Sequence, residues 1–215
     1  MVFDNKEEYK KYWVDREKQE KGDTVTNNEY LSLKEKDRAI KIAQVTKLWE
    51  GFFLPHLAQG YDHILDFGCG RGRFTGFLSE HSSKSTGLDM TAGLLDRAIE
   101  AHAQDNIDFK LYDGEVFPFE DNTFDLIFSC TVLQHIVIPD VLESVVKEFQ
   151  RVLAPGGKLL LFEGCEKNRG AAHVFHRDLS GWRELFPWAT IEVRKTYCEI
   201  GSDPTHLLME GVKNV

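Results

Sequence analysis

The stretch from His63 to Phe74, HILDFGCGRGRF, constrains this chain more than any other. Ile64, Leu65 and Phe67 read as a buried strand. Glycines at 68, 70 and 72 then give a turn whose backbone can approach a ligand closely, before Phe74 to Leu78 begin a helix. A nucleotide-like cofactor fits such a turn. The spacing narrows the choice, because a dinucleotide loop reads G-x-G-x-x-G and rests its pyrophosphate on the helix N-terminus. Here Arg73 stands where the third glycine belongs, and its long side chain would crowd the helix against the strand. A pyrophosphate cofactor is therefore disfavoured. On the loop alone, a tight strand-to-helix connection that binds nothing stays open.

With 215 residues, 42% hydrophobic and 12% aromatic, the chain can bury the core of one domain with an appendage. The boundaries expected are 1–60 for an N-terminal helical lid or appendage and 61–215 for the main domain. A formal charge of −9 and a pI near 5.4 disfavour a nucleic-acid partner, since a polyanion repels this surface. Cys69, Cys130, Cys165 and Cys198 stand far apart without a C-x-x-C pair, which points to reduced thiols rather than a disulfide framework or zinc cluster. The charged N-terminus has no apolar leader pattern, and no apolar run approaches membrane-spanning length. The expectation is a cytoplasmic protein without a membrane partner, as a monomer or homodimer.

Residues 4–21 carry Tyr9, Tyr12 and Trp13 at helical spacing, and Lys34 to Leu57 place Ile42, Val45, Trp49 and Phe52 on one helical face. The first aromatic cluster suits either simple docking on the domain or a lid over a pocket. From His63 onward strand and helix signals alternate. Strands are expected at Lys84–Asp89, Ile107–Asp113, Thr123–Cys130 and Lys158–Cys165, with helices at Ala92–Gln104 and Pro139–Leu153. Pro155-Gly156-Gly157 should separate the last helix from its strand. Five strands separated by helices imply a doubly wound, parallel α/β sheet. Beyond the irregular or briefly helical residues 166–188, ATIEVRKTYCEI and THLLMEGV flank a turn at Gly201 to Pro204 and read as an antiparallel hairpin, making seven strands.

Ligands of such sheets bind beyond the carboxyl ends of the strands, where strand order reverses. Acids stand at three neighbouring strand ends: Asp66 before the glycine turn, Asp89 after the second strand, and Asp113-Gly114 after the third. The fourth strand ends in Ser129-Cys130-Thr131 and leads to Gln134-His135. An acid at the end of the strand after a glycine turn can accept both hydroxyls of a ribose.

These motifs together resemble the class I S-adenosylmethionine-dependent methyltransferases of the broad small-molecule type. LDFGCGRG resembles the family's first motif and GLDMT its ribose-binding acid. YDGEVFPFEDNTFDLIFSCTVLQHI resembles the adenine-binding and post-fourth-strand segments, and VLAPGGKLLL the fifth strand with its preceding turn. The match runs in order over about residues 61–165. It implies the Rossmann-like methyltransferase fold: a mostly parallel seven-stranded sheet with a C-terminal antiparallel hairpin, here with N-terminal helices. It also implies S-adenosyl-L-methionine as cofactor. Asp66, Gly68, Cys69 and Gly70 would contact or orient its methionine half, Asp89 its ribose, and Met90, Asp113, Gly114 and Glu115 its adenine, while Cys130 passes close through its main chain.

Methyl transfer from a sulfonium is an in-line displacement governed by alignment, and a hydroxyl acceptor gains from a general base. His135, just beyond the fourth strand, is the candidate catalytic residue; as an alternative it is a wall residue with no proton role. The acceptor site is expected from His173, His176 and Arg177 in the segment after the fifth strand, with Trp13 from the N-terminal helix. Arg169 is a further candidate anchor. His173 and His176 near Glu163 or Cys165 make a metal site conceivable, but no other ligand pair has suitable spacing, so no metal is expected. The reading is an enzyme that methylates an oxygen or nitrogen of a small-molecule acceptor, such as a natural-product intermediate, sugar or metabolite. A protein or peptide acceptor, and a catalytically silent cofactor-binding module, are the alternatives.

Overall fold

A turn with three left-handed glycines sets the geometry on which the sheet is organised. The computed structural model describes residues 3, 5–19, 49–165, 173–198 and 204–214. Before the sheet come α1 (Lys6–Gln19), a π-helical turn at Trp49–Phe53 and the short α2 (Leu54–Leu57). The alternating part then runs β1 (Tyr61–Phe67), α3 (Arg73–Ser79), β2 (Ser82–Asp89), α4 (Ala92–Ala101), β3 (Ile107–Leu111), β4 (Phe124–Cys130), α5 (Pro139–Val152) and β5 (Leu153–Gly164). Last come α6 (Leu179–Leu185), β6 (Ala189–Cys198) and β7 (Pro204–Lys213). The described residues build one sheet of order β3-β2-β1-β4-β5-β7-β6. The first five strands pair in parallel, whereas β7 pairs antiparallel with both β5 and β6. This is the doubly wound sheet and terminal hairpin that the sequence implies. The order reverses at β1 and β4, and a crevice opens there at the carboxyl ends.

Each face of the sheet buries an aromatic cluster. On one side Phe67, Phe117, Phe149, Trp182 and Phe186 pack beneath α5 and α6; on the other Trp49, Phe53, Phe74, Phe128 and Phe162 pack against β1, β4 and β5. The α5 sequence PDVLESVVKEFQRV buries Val141, Leu142, Val145, Val146, Phe149 and Val152, the i, i+3, i+4 stripe that turns one helical face to a core. Burial on both sides explains why β4 reads as a nearly continuous apolar run.

Two expectations are revised, and a third is covered only in part. No helix joins β3 to β4: residues 112–123 form a loop held by Arg151, which donates to the carbonyls of Phe119 (2.7 Å) and Phe117 (3.1 Å). Pro155-Gly156-Gly157 does not precede β5 but lies within it, where the pairing slips between Phe124↔Leu153 and Leu126↔Lys158. Gly156 takes the extra residues up at a left-handed φ of 72°, as a bulge does. The expected helix over Lys34–Leu57 falls mostly outside the described residues; its described end is the π turn and α2, with Trp49 and Phe53 buried. Among the described residues no helix is long and apolar enough to cross a membrane.

Gly72 caps α3 at φ 75°, and a Cβ there would lie 2.7 Å from Phe109 Cζ. Gly72→Ala should cost about 1–3 kcal/mol in urea denaturation, from backbone strain and the displaced ring. Gly156→Ala, at φ 72° with nothing within 4 Å, should cost less, since only the backbone term applies. Equal losses would show that the Phe109 contact contributes nothing.

Candidate active site

The cleft is built from backbone before side chains. Gly68, Gly70 and Gly72 all adopt left-handed φ angles, 70°, 55° and 75°. The amides of Gly68 and Cys69 both donate to Leu88 O, at 2.8 and 3.1 Å, which ties the turn to the end of β2. A methyl group on Gly68 would sit 2.5 Å from Val132 Cγ1, so the turn also abuts the segment after β4. Glycine is required here for both conformation and space.

Asp89 closes the same turn. Its Oδ2 accepts from the Gly70 amide (2.9 Å) and its Oδ1 from the Thr91 amide (2.9 Å), while burial raises its pKa. Asp66 lies beneath the turn, buried, accepting from Thr75 Oγ1 at 2.6 Å. Burial, opposed by that hydrogen bond, pushes its pKa up to about 7, and the charge of Asp89 pushes the same way. Desolvation also acts on the half-buried Cys69 and Cys130, driving the Cys69 thiol well up and the Cys130 thiol to about 12, so neither is a nucleophile at neutral pH.

Gly68, Gly70, Asp89, Met90 and His135 line one cleft, with Tyr9 and Trp13 reaching in from α1. Among the described residues that line it none is Lys or Arg. With α1 seated, the cavity left is about 80 Å³. Asp113, Gly114 and Glu115 form the rim where α1 lands. Asp113 Oδ1 accepts from the amides of Glu115 (2.9 Å) and Val116 (3.2 Å), bonds that hold its pKa below the usual range. Glu115 pairs with Lys6, and Lys10 Cε would lie 3.0 Å from a Cβ on Gly114.

At the other end the 3-10 turn Leu133–His135 presents His135. Its Nδ1 lies 2.9 Å from the carbonyl of His173, which can only accept, so in the neutral ring the proton sits on Nδ1 and Nε2 carries the lone pair. His173 stacks on His135 (5.6 Å, 8°), and Trp13 meets His135 edge-on at 5.4 Å. His176 is elsewhere: its ring packs on Gly164, where any Cβ would overlap it, and it faces His206 at 6.5 Å. Arg177 is outside the cleft as well, with its guanidinium over Phe175 (4.7 Å) and Trp182 (5.3 Å). Arg169 lies outside the described residues. Among the described residues no group of three or more His, Cys, Asp or Glu could hold a metal ion.

The residue that sequence reasoning undervalues is Glu163. Fully buried at the end of β5, it accepts from the amides of Val132, Leu133 and Gln134, all at 3.1 Å, and from Ser129 Oγ at 3.0 Å. Gln134 adds a second tie, its Oε1 accepting from the Gly164 amide at 2.6 Å. The turn that carries His135 thus hangs from one carboxylate. An acid inside an otherwise apolar strand, LLLFEG, is the signal for it.

Residues 65–161 match the family model described as a methyltransferase domain. The ubiquinone biosynthesis O-methyltransferase of Coxiella burnetii is 34% identical over 125 residues, covering 53% of this chain and 51% of that protein. The chloroplastic tocopherol O-methyltransferase of Arabidopsis thaliana is 32% identical over 131 residues, 58% of this chain and 34% of that one. The chain thus spans about half the length, or less, of the curated relatives it matches. Among solved structures, the PH0226 protein of Pyrococcus horikoshii OT3 has a TM-score of 0.67 at 18% identity, covering 80% of this chain and 91% of its own. The N-methyltransferase NodS of Bradyrhizobium japonicum WM9 has a TM-score of 0.63 at 20% identity, covering 88% and 99%. At these identities the two structures speak for the fold.

Burial of Glu163 outweighs its four donors and raises its pKa from 4.5 to about 7. A raised folded-state pKa means that its contribution to stability is fully present below about 4.5 and is lost as pH rises through about 7. Glu163→Gln removes that slope. Urea denaturation at pH 5 and pH 8 should show the parent losing on the order of 3 kcal/mol more than the variant across the interval. Parallel losses would refute the shifted carboxylate.

Proposed function

As a member of the class I S-adenosylmethionine-dependent methyltransferase family, this chain has its glycine turn, Asp89 and His135 on one cleft, and we propose that it methylates an oxygen or nitrogen of a small-molecule acceptor. The observation that carries this reading is Asp89, held by two backbone amides at the floor of a cleft that, among the described residues, no Lys or Arg lines. Carboxylates and carbonyls without a phosphate clamp suit a sulfonium nucleoside and suit a pyrophosphate poorly. When bound, S-adenosylmethionine supplies an electrophilic methyl group.

In this reading the chain's own residues position and shield. Asp89 has lone pairs beyond its two amide bonds and accepts the ribose hydroxyls, with Gly68 and Gly70 giving close backbone approach. Met90 with the Asp113–Glu115 rim borders the adenine side. Asp66, through Thr75, and Cys69, through its backbone bond to Leu88, hold the turn from behind. Cys130 passes at the end of β4. His135 Nε2 accepts the proton of a hydroxyl acceptor, its Nδ1–H anchored on His173, and Trp13 walls the acceptor side. His176 and Arg177 support that region from outside the cleft.

Residues 1–60 serve as the appendage to the domain of 61–215, and α1 is its lid. A cavity of about 80 Å³ is well below the ~300 Å³ at which small-molecule pockets begin, so a nucleoside enters only when α1 moves out with Tyr9 and Trp13. Closure then excludes water from the reacting atoms. The relatives named as O-methyltransferases favour a hydroxyl acceptor.

Calorimetry tests the cofactor. The parent should bind S-adenosylmethionine and its demethylated product, and Asp89→Ala should weaken both about 10²- to 10⁴-fold, the worth of two charge-assisted hydrogen bonds. Equal affinity in the variant would place the cofactor elsewhere. Labelled-methyl screening over metabolite pools tests turnover: His135→Ala should lower the rate on a hydroxyl acceptor about 10²- to 10⁴-fold while leaving cofactor affinity in place. An unchanged rate would reduce His135 to a wall of the pocket.

A further inference from the structure

A second cavity lies beside the cleft, and no role assigned above uses it. Leu142 and Val146 of α5 line one side, Leu185, Pro187 and Trp188 the other, and Phe175 stands at the edge. Its volume of about 560 Å³ falls within the ~300–1,000 Å³ typical of small-molecule sites. Ile136, almost fully buried, is the wall between the two cavities, lining both this groove and the cleft immediately after His135. The boundary is fastened from above, where the Phe175 amide donates to Gln134 O (2.7 Å) and His135 Nδ1 to His173 O (2.9 Å). Phe175 is 46% exposed, yet the Arg177 guanidinium lies over its ring at 4.7 Å, so a large apolar side chain is held in place at the groove edge.

The rim chemistry selects the class of ligand. Among the described residues four charged ones line the groove, two of each sign: Glu143 and Lys147 pair across 2.7 Å, Glu184 is the other acid, and the Arg177 guanidinium lies over the rings of Phe175 and Trp182, so the formal charges of the lining cancel. The walls offer aliphatic and aromatic area instead. We propose that the groove holds the apolar tail of an amphipathic methyl acceptor whose reacting polar group lies at His135. This rests on the methyltransferase reading. A chain extending from the cleft past Ile136 would bury its methylenes against Leu142, Val146 and Leu185 while the head stays by the imidazole.

The test titrates 4-n-alkylphenols, from ethyl to octyl, into the full chain saturated with S-adenosylhomocysteine, reading tryptophan fluorescence. The dissociation constant should fall about two- to fourfold per added methylene. Leu185→Glu, at a half-buried groove position, should flatten that dependence and keep S-adenosylhomocysteine affinity by calorimetry. Phe175→Ala should reduce it too, and serves where Leu185→Glu fails to fold. Affinity independent of chain length, or an unchanged dependence in a folded variant, overturns the inference. A parent that sediments as a dimer and becomes monomeric in Leu185→Glu also overturns it, in favour of a contact between copies. Failure of the parent to bind S-adenosylhomocysteine instead overturns the methyltransferase reading, and the acceptor assignment with it.

Discussion

The turn after β4 has no side-chain cap of its own, and the buried carboxylate of Glu163 takes that place from the neighbouring strand. Three amides in succession would otherwise stand in an apolar region without acceptors, at a cost of about 1–3 kcal/mol each. One side chain therefore fixes the position of Val132, which abuts Gly68, and of His135, which faces α1. The cleft floor and the candidate base are positioned by the same hydrogen-bond set. The parallel pairing of β4 with β5, Ser129↔Leu161 and Cys130↔Phe162, brings Glu163 within reach of Ser129.

Much of this architecture is legible in the residues because the signals are local. An apolar run before a glycine turn reads as a buried strand entering a helix, and acids at successive strand ends mark the carboxyl edge of a sheet. The parts that escape are those decided by distant partners. The amides after Asp113 take one of its carboxylate oxygens, which spacing alone does not show. Arg177 follows closely on His173, which stacks on His135, yet its guanidinium finds the aromatic faces of Phe175 and Trp182 instead of the cleft. The Pro-Gly-Gly run looks like a strand boundary by composition; pairing with β4 on both sides turns it into a bulge.

Asp66 and Asp89 make the cleft floor electrostatically demanding. Asp66 is buried and Asp89 half-buried, desolvation raises both, and the charge of Asp89 raises Asp66 further. Arg73 offsets part of the charge on Asp66, and among the described residues no Lys or Arg lines the cleft, so two carboxylates near each other in a low-dielectric site favour a cation arriving from outside. A sulfonium with an ammonium group has that character, and a pyrophosphate has the opposite one. The net charge of −9 acts in the same direction at longer range.

The helix α1 links the two ends of this site. Its first turn meets the rim at Lys6 and Glu115, its middle buries Tyr9 over the cleft, and its later residues set Tyr12 against His173 and Trp13 against His135. A rigid helix of 14 residues cannot release one of these contacts without disturbing the others. Occupancy of the adenine side would therefore bear on the geometry around His135, because the same helix covers both. The ion pair at the rim is exposed and worth little by itself, so the aromatic contacts carry most of the seating energy. Those contacts lie on the acceptor side, and a ligand that packs against Trp13 is the one best able to hold α1 closed.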